Sequence, residues 1–131
     1  MPGTRVADRA VPSAETLLPL TPVAFEILLA LADGDRHGYF IMQEVERRSG
    51  GRVSLHPGTL YRALNRLHGE GLIEERPDTP AGAAEEPHGE RRRYYRITSF
   101  GRDVAAAEAD RLAGQLSAAR LKNLVPRGHA R

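Results

Sequence analysis

The chain has 131 residues, 40% hydrophobic and 27% charged, with a formal net charge of +2; this fits one globular domain with short arms and excludes a polyionic or low-complexity chain. It contains no cysteine and no tryptophan, which excludes disulfides, thiolate metal sites and cysteine nucleophiles and leaves Leu, Ile, Val and Ala to build any core. No apolar run approaches the roughly 18 residues of a membrane span and no signal-peptide core opens the sequence, so a cytoplasmic protein is expected.

Residues 1–16 are small, polar and charged without a period, and are expected to form a flexible N-terminal arm. Leu17, Leu18 and Leu20 break that pattern. Thr21-Pro22 then supplies an N-cap followed by proline at the first helical position, and Val23, Ile27, Leu28 and Leu31 continue at helical spacing as far as Asp33-Gly34. A second helix is predicted from Gly38 to about Ser49, burying Ile41, Met42 and Val45 and pairing Glu44 with Arg48, with Gly50-Gly51 as its stop. Val53 and Leu55 alternate with polar neighbours, as in a short strand or extended link.

The third helix starts at Pro57 and ends by Gly71. Leu60, Ala63, Leu64 and Leu67 form one apolar stripe, so Thr59, Arg62, Asn65 and Arg66 point elsewhere and Tyr61 lies at the stripe's edge. Leu72 to Arg76 reads as a strand, Pro77–Gly89 as a long loop, and Arg91 to Thr98 as a basic returning strand with Tyr95 and Ile97 facing inward. From Ser99 the chain is Ala-rich and helical to about Leu124, capped by Thr98 or Ser99. Ala105, Ala109, Leu112, Leu116 and Ala119 follow a four-three-four-three spacing, a coiled-coil-like seam for a second helix. The tail is 126–131.

Three short helices followed by a basic hairpin predict a mainly α chain with a small β-hairpin: a winged helix-turn-helix over 17–98, with 77–89 as its wing loop, and a C-terminal dimerisation helix over 99–125. An α-helix fits the major groove if one face is buried and the other carries polar donors. The third helix meets both needs. Arg62 and Arg66 stand one turn apart, Asn65 suits adenine and arginine suits guanine. Thr59 and Tyr61 offer hydroxyls to phosphates near the helix start. Arg91, Arg92, Arg93 and Arg96 of the wing suit the flanking backbone or minor groove.

His37-Gly38-Tyr39, Gly50-Gly51, Pro57-Gly58-Thr59-Leu60-Tyr61, Glu70-Gly71-Leu72-Ile73 and Arg93-Tyr94-Tyr95-Arg96-Ile97-Thr98 with Gly101 resemble the PadR-like transcriptional regulators. The resemblance runs from about Leu17 to about Leu116. It implies a homodimeric winged-helix protein that binds a double-stranded DNA operator, usually as a repressor and sometimes released by a small-molecule effector. On this reading Tyr39, His56, Pro57 and Gly58 join the DNA-binding set. The chain looks like the short-tailed kind, whose single C-terminal helix packs against the partner's N-terminal region, here Leu17, Leu18 and Leu20. Three positions depart from the family pattern. His56 stands where serine is common and is a poorer N-cap, Phe40 is apolar where a small or polar residue is common, and the wing loop carries Asp78, Glu85 and Glu86, which repel phosphate. The loop is therefore expected to project from the duplex or stay disordered.

The five histidines, His37, His56, His68, His88 and His129, never stand at i,i+3 or i,i+4, so surface or capping roles are expected and no metal or cofactor. No nucleophile elbow, phosphate loop or paired-carboxylate motif points to an enzyme. The competing reading is a winged helix used for protein contacts without DNA; a MarR-type regulator would need a longer C-terminal helical region.

Overall fold

The computed structural model describes residues 13–76 and 93–125. A short 3-10 helix (Ala14–Leu17) leads into helix α1 (Pro22–Leu31), strand β1 (Arg36–His37), α2 (Gly38–Arg48), α3 (Pro57–Gly69), β2 (Ile73–Arg76), β3 (Tyr94–Ile97) and the long α4 (Ser99–Leu121). The wing loop 77–89, with Arg91 and Arg92, lies outside the described residues, as do most of the N-terminal arm and the tail.

Each helix starts and stops for a local reason. The Thr21 hydroxyl accepts the Ala24 N–H at 3.1 Å, and the Thr98 hydroxyl accepts the Gly101 N–H at 2.9 Å; both satisfy donors that a helix start otherwise leaves open. His37 caps α2, a role expected among the histidines, its Nδ1 accepting the Phe40 N–H at 3.2 Å. At the far end of α3, Gly71 at φ 80° lets the Leu72 N–H reach back to the Leu67 carbonyl at 3.0 Å, a glycine-terminated stop.

The core joins Ile27, Leu28 and Leu31 of α1, Ile41 and Val45 of α2, and Leu60, Leu64 and Leu67 of α3. Leu72, Ile73, Tyr95, Ile97 and Val104 close it. Burying each large aliphatic side chain contributes about 1.5–3 kcal/mol, so the three leucines hold α3 firmly by one face. Leu55 is buried too, but the Val53–Leu55 segment is an extended link and not a strand.

The hairpin is part of a three-stranded antiparallel sheet in the order β1-β3-β2. β1, a strand that sequence periodicity did not reveal, places Arg36 opposite Tyr95 and His37 opposite Tyr94. β2 pairs Ile73 with Ile97, Glu74 with Arg96, Glu75 with Tyr95 and Arg76 with Tyr94. The start of α4 is bolted to the turn after α3: the Thr98 N–H bonds the Leu72 carbonyl at 3.0 Å and its hydroxyl donates to the Gly71 carbonyl at 2.7 Å.

One expectation at the N-terminus needs correction, and α4 buries a face beside the expected seam. Residues 14–17 are helical and pack on α4 of the same chain, so the arm cannot run unstructured to residue 16. Leu17, Leu18 and Leu20 are likewise partly covered within the chain, against its own core. The buried stripe of α4 is Gly101, Val104 and Glu108, one register away from the seam. Ala105 is already packed on the core, while Ala109 and Ala119 are exposed and half-buried in turn, and Leu112 and Leu116 are 37% and 45% exposed. Glu108, a charged residue only 2% exposed, hides this stripe from a hydrophobicity reading. It is held by two contacts from Arg111, at 2.9 and 2.7 Å, and accepts the Leu20 N–H at 3.4 Å.

Candidate nucleic-acid interface

α3 presents the polar surface that its periodicity predicts. Leu60, Leu64 and Leu67 are at most 2% exposed. Pro57, Gly58, Arg62, Asn65 and Arg66 are exposed, Thr59 and Ala63 half-buried. Among the described residues the Arg62 guanidinium has no carboxylate partner, and Arg66 has only Glu70, at a long 3.5 Å. The start of the helix lacks a side-chain cap as well: the His56 side chain makes no capping bond, so among the described residues no cap competes with an anion for the N–H groups at the positive end of the helix dipole.

Two tyrosines flank this surface. Tyr39, 56% exposed, accepts a bond from Gln43 Nε2 at 3.2 Å, and Tyr61 is 42% exposed. The Tyr61 hydroxyl lies over Gly38, where a Cβ would approach it to 2.6 Å, so the glycine of His37-Gly38-Tyr39 is what lets α2 and α3 approach here. His37 stacks with Tyr39 at 6.5 Å and meets Tyr94 edge-on at 5.6 Å, tying the start of α2 to β3. Phe40 is half-buried under the Arg36 guanidinium at 4.7 Å, which explains why an aromatic is accommodated at that position.

The wing strands carry arginine, but their charge is matched within the fold. Arg93 pairs with Glu75, Arg96 with Glu74 at 3.2 Å, and Arg76 with Asp35 at 2.6 Å. The Glu75 carboxylate keeps Arg93 firmly protonated. Burial, reinforced by nearby Glu75, pushes the Tyr95 phenol up to about 12, so Tyr95 is a neutral core residue. The arginines are plain in the sequence but their partners are not, because the partners depend on strand register between segments far apart in the chain. No described helix is long and apolar enough to cross a membrane, and no group of three or more His, Cys, Asp or Glu among the described residues is placed to hold a metal ion.

Three helices, a small antiparallel sheet and a polar third helix define a winged-helix protein. Residues 27–107 match the Transcriptional regulator PadR-like family, and the chain belongs to that family. It is 42% identical over 91 residues to the transcriptional regulator Rv3488 of Mycobacterium tuberculosis, covering 70% of this chain and 74% of that one. It is 39% identical over 100 residues to an uncharacterized 37.1 kDa protein in a Streptomyces fradiae transposon, covering 76% of this chain but only 25% of that protein. Among solved structures, a PadR family transcription regulator from Clostridium difficile aligns with TM-score 0.62 at 25% identity, over 77% of this chain and 97% of that one. Bacillus subtilis PadR, solved with operator DNA, shares the fold with TM-score 0.54 at 23% identity, over 72% of this chain and 48% of that one.

Proposed function

We infer that the chain regulates transcription by binding a DNA operator as a homodimer, with α3 in the major groove and the wing beside the flanking backbone. The observation that carries this reading is the rigidly buried α3 with an exposed Arg62, unpaired among the described residues, beside Arg66, Asn65 and a helix start that His56 leaves uncapped. Family membership supports it, as does the fold shared with a protein solved on operator DNA. Two copies would place their α3 helices roughly 34 Å apart, one DNA turn, on an inverted repeat. The exposed Leu112 and Leu116 of α4 supply the apolar surface for the second copy. Occupying a promoter in this way blocks transcription, so repression is the expected direction, and a DNA partner places the protein in the cytoplasm.

Binding to the gene's own upstream DNA, measured by fluorescence anisotropy in a salt series, tests the reading. Arg62→Ala should weaken binding by about 1–3 kcal/mol, the worth of one arginine–guanine contact. Undiminished affinity in Arg62→Ala, or binding that ignores salt, would reject α3 as the reading element and favour a protein-contact role. Leu112→Asp with Leu116→Asp should lower the light-scattering mass to that of one chain; an unchanged mass would reject the α4 interface.

A further inference from the structure

Tyr39 is held in one orientation without being buried. It is 56% exposed, yet its ring stacks on His37 with centroids 6.5 Å apart and planes 10° from parallel. Its hydroxyl accepts an N–H from Gln43 Nε2 at 3.2 Å. Fixing an exposed ring costs side-chain entropy that core burial does not offset here. Gln43 stands four residues on, one turn along the same exposed face of α2. The base of the ring is anchored too. His37 meets Tyr94 of β3 edge-on at 5.6 Å, and Gly38 lies against Tyr61 of α3, so Tyr39 stands where α2, α3 and β3 join.

We propose that Gln43 is a positioning residue for DNA binding, which engages the Tyr39 hydroxyl oxygen and so directs its O–H toward a backbone phosphate beside the start of α3. This rests on the reading of α3 as the DNA-contacting helix, and adds to it a residue of α2 that touches no DNA itself. A phenol has one proton to donate and lone pairs to accept. The amide N–H of Gln43 occupies the accepting side, and among the described residues no other hydrogen bond uses the Tyr39 hydroxyl. Its proton is left for a ligand that only accepts. A phosphodiester is such a ligand, and its charge makes the bond a charge-assisted one. A lysine or arginine of a protein partner would instead meet an oxygen that is already engaged. The acids of α2 do not oppose this contact. Arg47 and Arg48 hold the Glu44 carboxylate. Glu46 stands seven residues from Tyr39, roughly 10 Å along the helix axis and about one screening length at physiological salt.

Phosphate contacts set position and carry no sequence information. Tyr39 and Gln43 therefore raise affinity for any duplex and fix how α3 enters the groove, while Arg62 discriminates between sequences.

Anisotropy with the gene's own upstream duplex, and with a scrambled duplex of the same composition, tests the assignment. Tyr39→Phe keeps the ring and removes the hydroxyl, and should weaken both duplexes about tenfold or more, the worth of one hydrogen bond to a charged group. Gln43→Met keeps the length of the side chain and removes the donor, and should weaken both by about two- to fivefold. Added to Tyr39→Phe, Gln43→Met should change nothing further, because the hydroxyl through which it acts is gone. Neither substitution should alter the salt slope, since a neutral hydroxyl displaces no counterion. A loss from Gln43→Met that persists beside Tyr39→Phe would overturn the proposal, since Gln43 would then act on the duplex directly or through the fold. Undiminished affinity in Tyr39→Phe, or a loss confined to the upstream duplex, would overturn it as well. Arg62→Ala in the same series separates the two readings. Weakening by Arg62→Ala with indifference to Tyr39→Phe keeps α3 as the reading helix and rejects the role of Gln43, whereas indifference to all three substitutions rejects both.

Discussion

Gly101 offers the most sharply defined test of how α4 is seated. A Cβ built at this position would lie 2.1 Å from the Leu72 carbonyl oxygen and 2.9 Å from Ile97 Cγ1. The first obstacle is backbone that cannot step aside, because the same carbonyl already accepts the Thr98 N–H. Gly101→Ala must then push the helix start away from the α3–β2 turn by more than an ångström, opening the contact between Val104 and the core. Overpacking costs about 1–3 kcal/mol, and more when backbone must move; the better helix propensity of alanine returns up to about 1 kcal/mol. A net loss of about 2–3 kcal/mol is expected. The same helix contains its own control. A Cβ at Gly114 meets nothing within 4 Å, so Gly114→Ala should stabilise by about 0.5–1 kcal/mol. Urea unfolding followed by far-ultraviolet circular dichroism, at one fixed protein concentration because association contributes to stability, should lower the midpoint for Gly101→Ala by about 1–2 M and raise it for Gly114→Ala. A midpoint for Gly101→Ala at or above that of the unsubstituted protein would refute the packing argument.

A Cβ at Gly38 meets the Tyr61 ring as well as its hydroxyl, and the buried Leu60 at 3.3 Å, so Gly38→Ala should cost about 1–3 kcal/mol of stability and weaken operator binding by turning Tyr61, as anisotropy and thermal melting on one sample would reveal. His56→Ser supplies the missing cap of α3 and should stabilise the fold by about 0.5–1 kcal/mol, read from the urea midpoint; no gain would mean that the helix start is satisfied in another way. Glu74→Gln with Glu75→Gln frees Arg96 and Arg93 for phosphate, and should tighten DNA binding and steepen its salt dependence by up to about two contacts; an unaltered slope would show that the wing strands stay off the duplex. The Arg111 guanidinium beside Glu108 holds its carboxyl below the usual range, with burial opposing and the Leu20 N–H assisting. A depressed folded-state pKa gives stability that is present above the unfolded value, about 4.3, and lost as pH falls through the folded one. Glu108→Gln should therefore melt with a shallower dependence on pH in the acid range, and an equally steep curve would remove Glu108 from the linkage.

Elements that repeat a local rule were legible in the sequence. Leu60, Leu64 and Leu67 share a helical face, Thr21 and Thr98 sit where caps are needed, and Gly50-Gly51 and Gly71 mark stops. The structure places all of them as their spacing implies. What escaped depends on partners distant in the chain. β1 is two residues long and exists because β3 lies beside it. The stripe on α4 contains a carboxylate that only Arg111 and the Leu20 N–H make tolerable inside the fold. A buried charge without such partners would cost several kcal/mol, so no rule based on hydrophobic spacing finds it.

The functional surface divides along the same line. Thr59, Arg62, Asn65 and Arg66 could be named from helical phase alone, since burial of one face fixes the direction of the other. The arginines of the wing could not be weighed that way, because Glu74 and Glu75 face β3 only once the strands are in register. Arg93 and Arg96 differ from Arg62 in this respect: they must surrender a carboxylate to gain a phosphate, and exposed pairs of this kind are worth only about 0.2–1 kcal/mol. The exchange is thus nearly neutral, contributing little net affinity. Arg62, which has no carboxylate partner among the described residues, surrenders nothing to them. The balance of affinity therefore shifts from the wing toward α3.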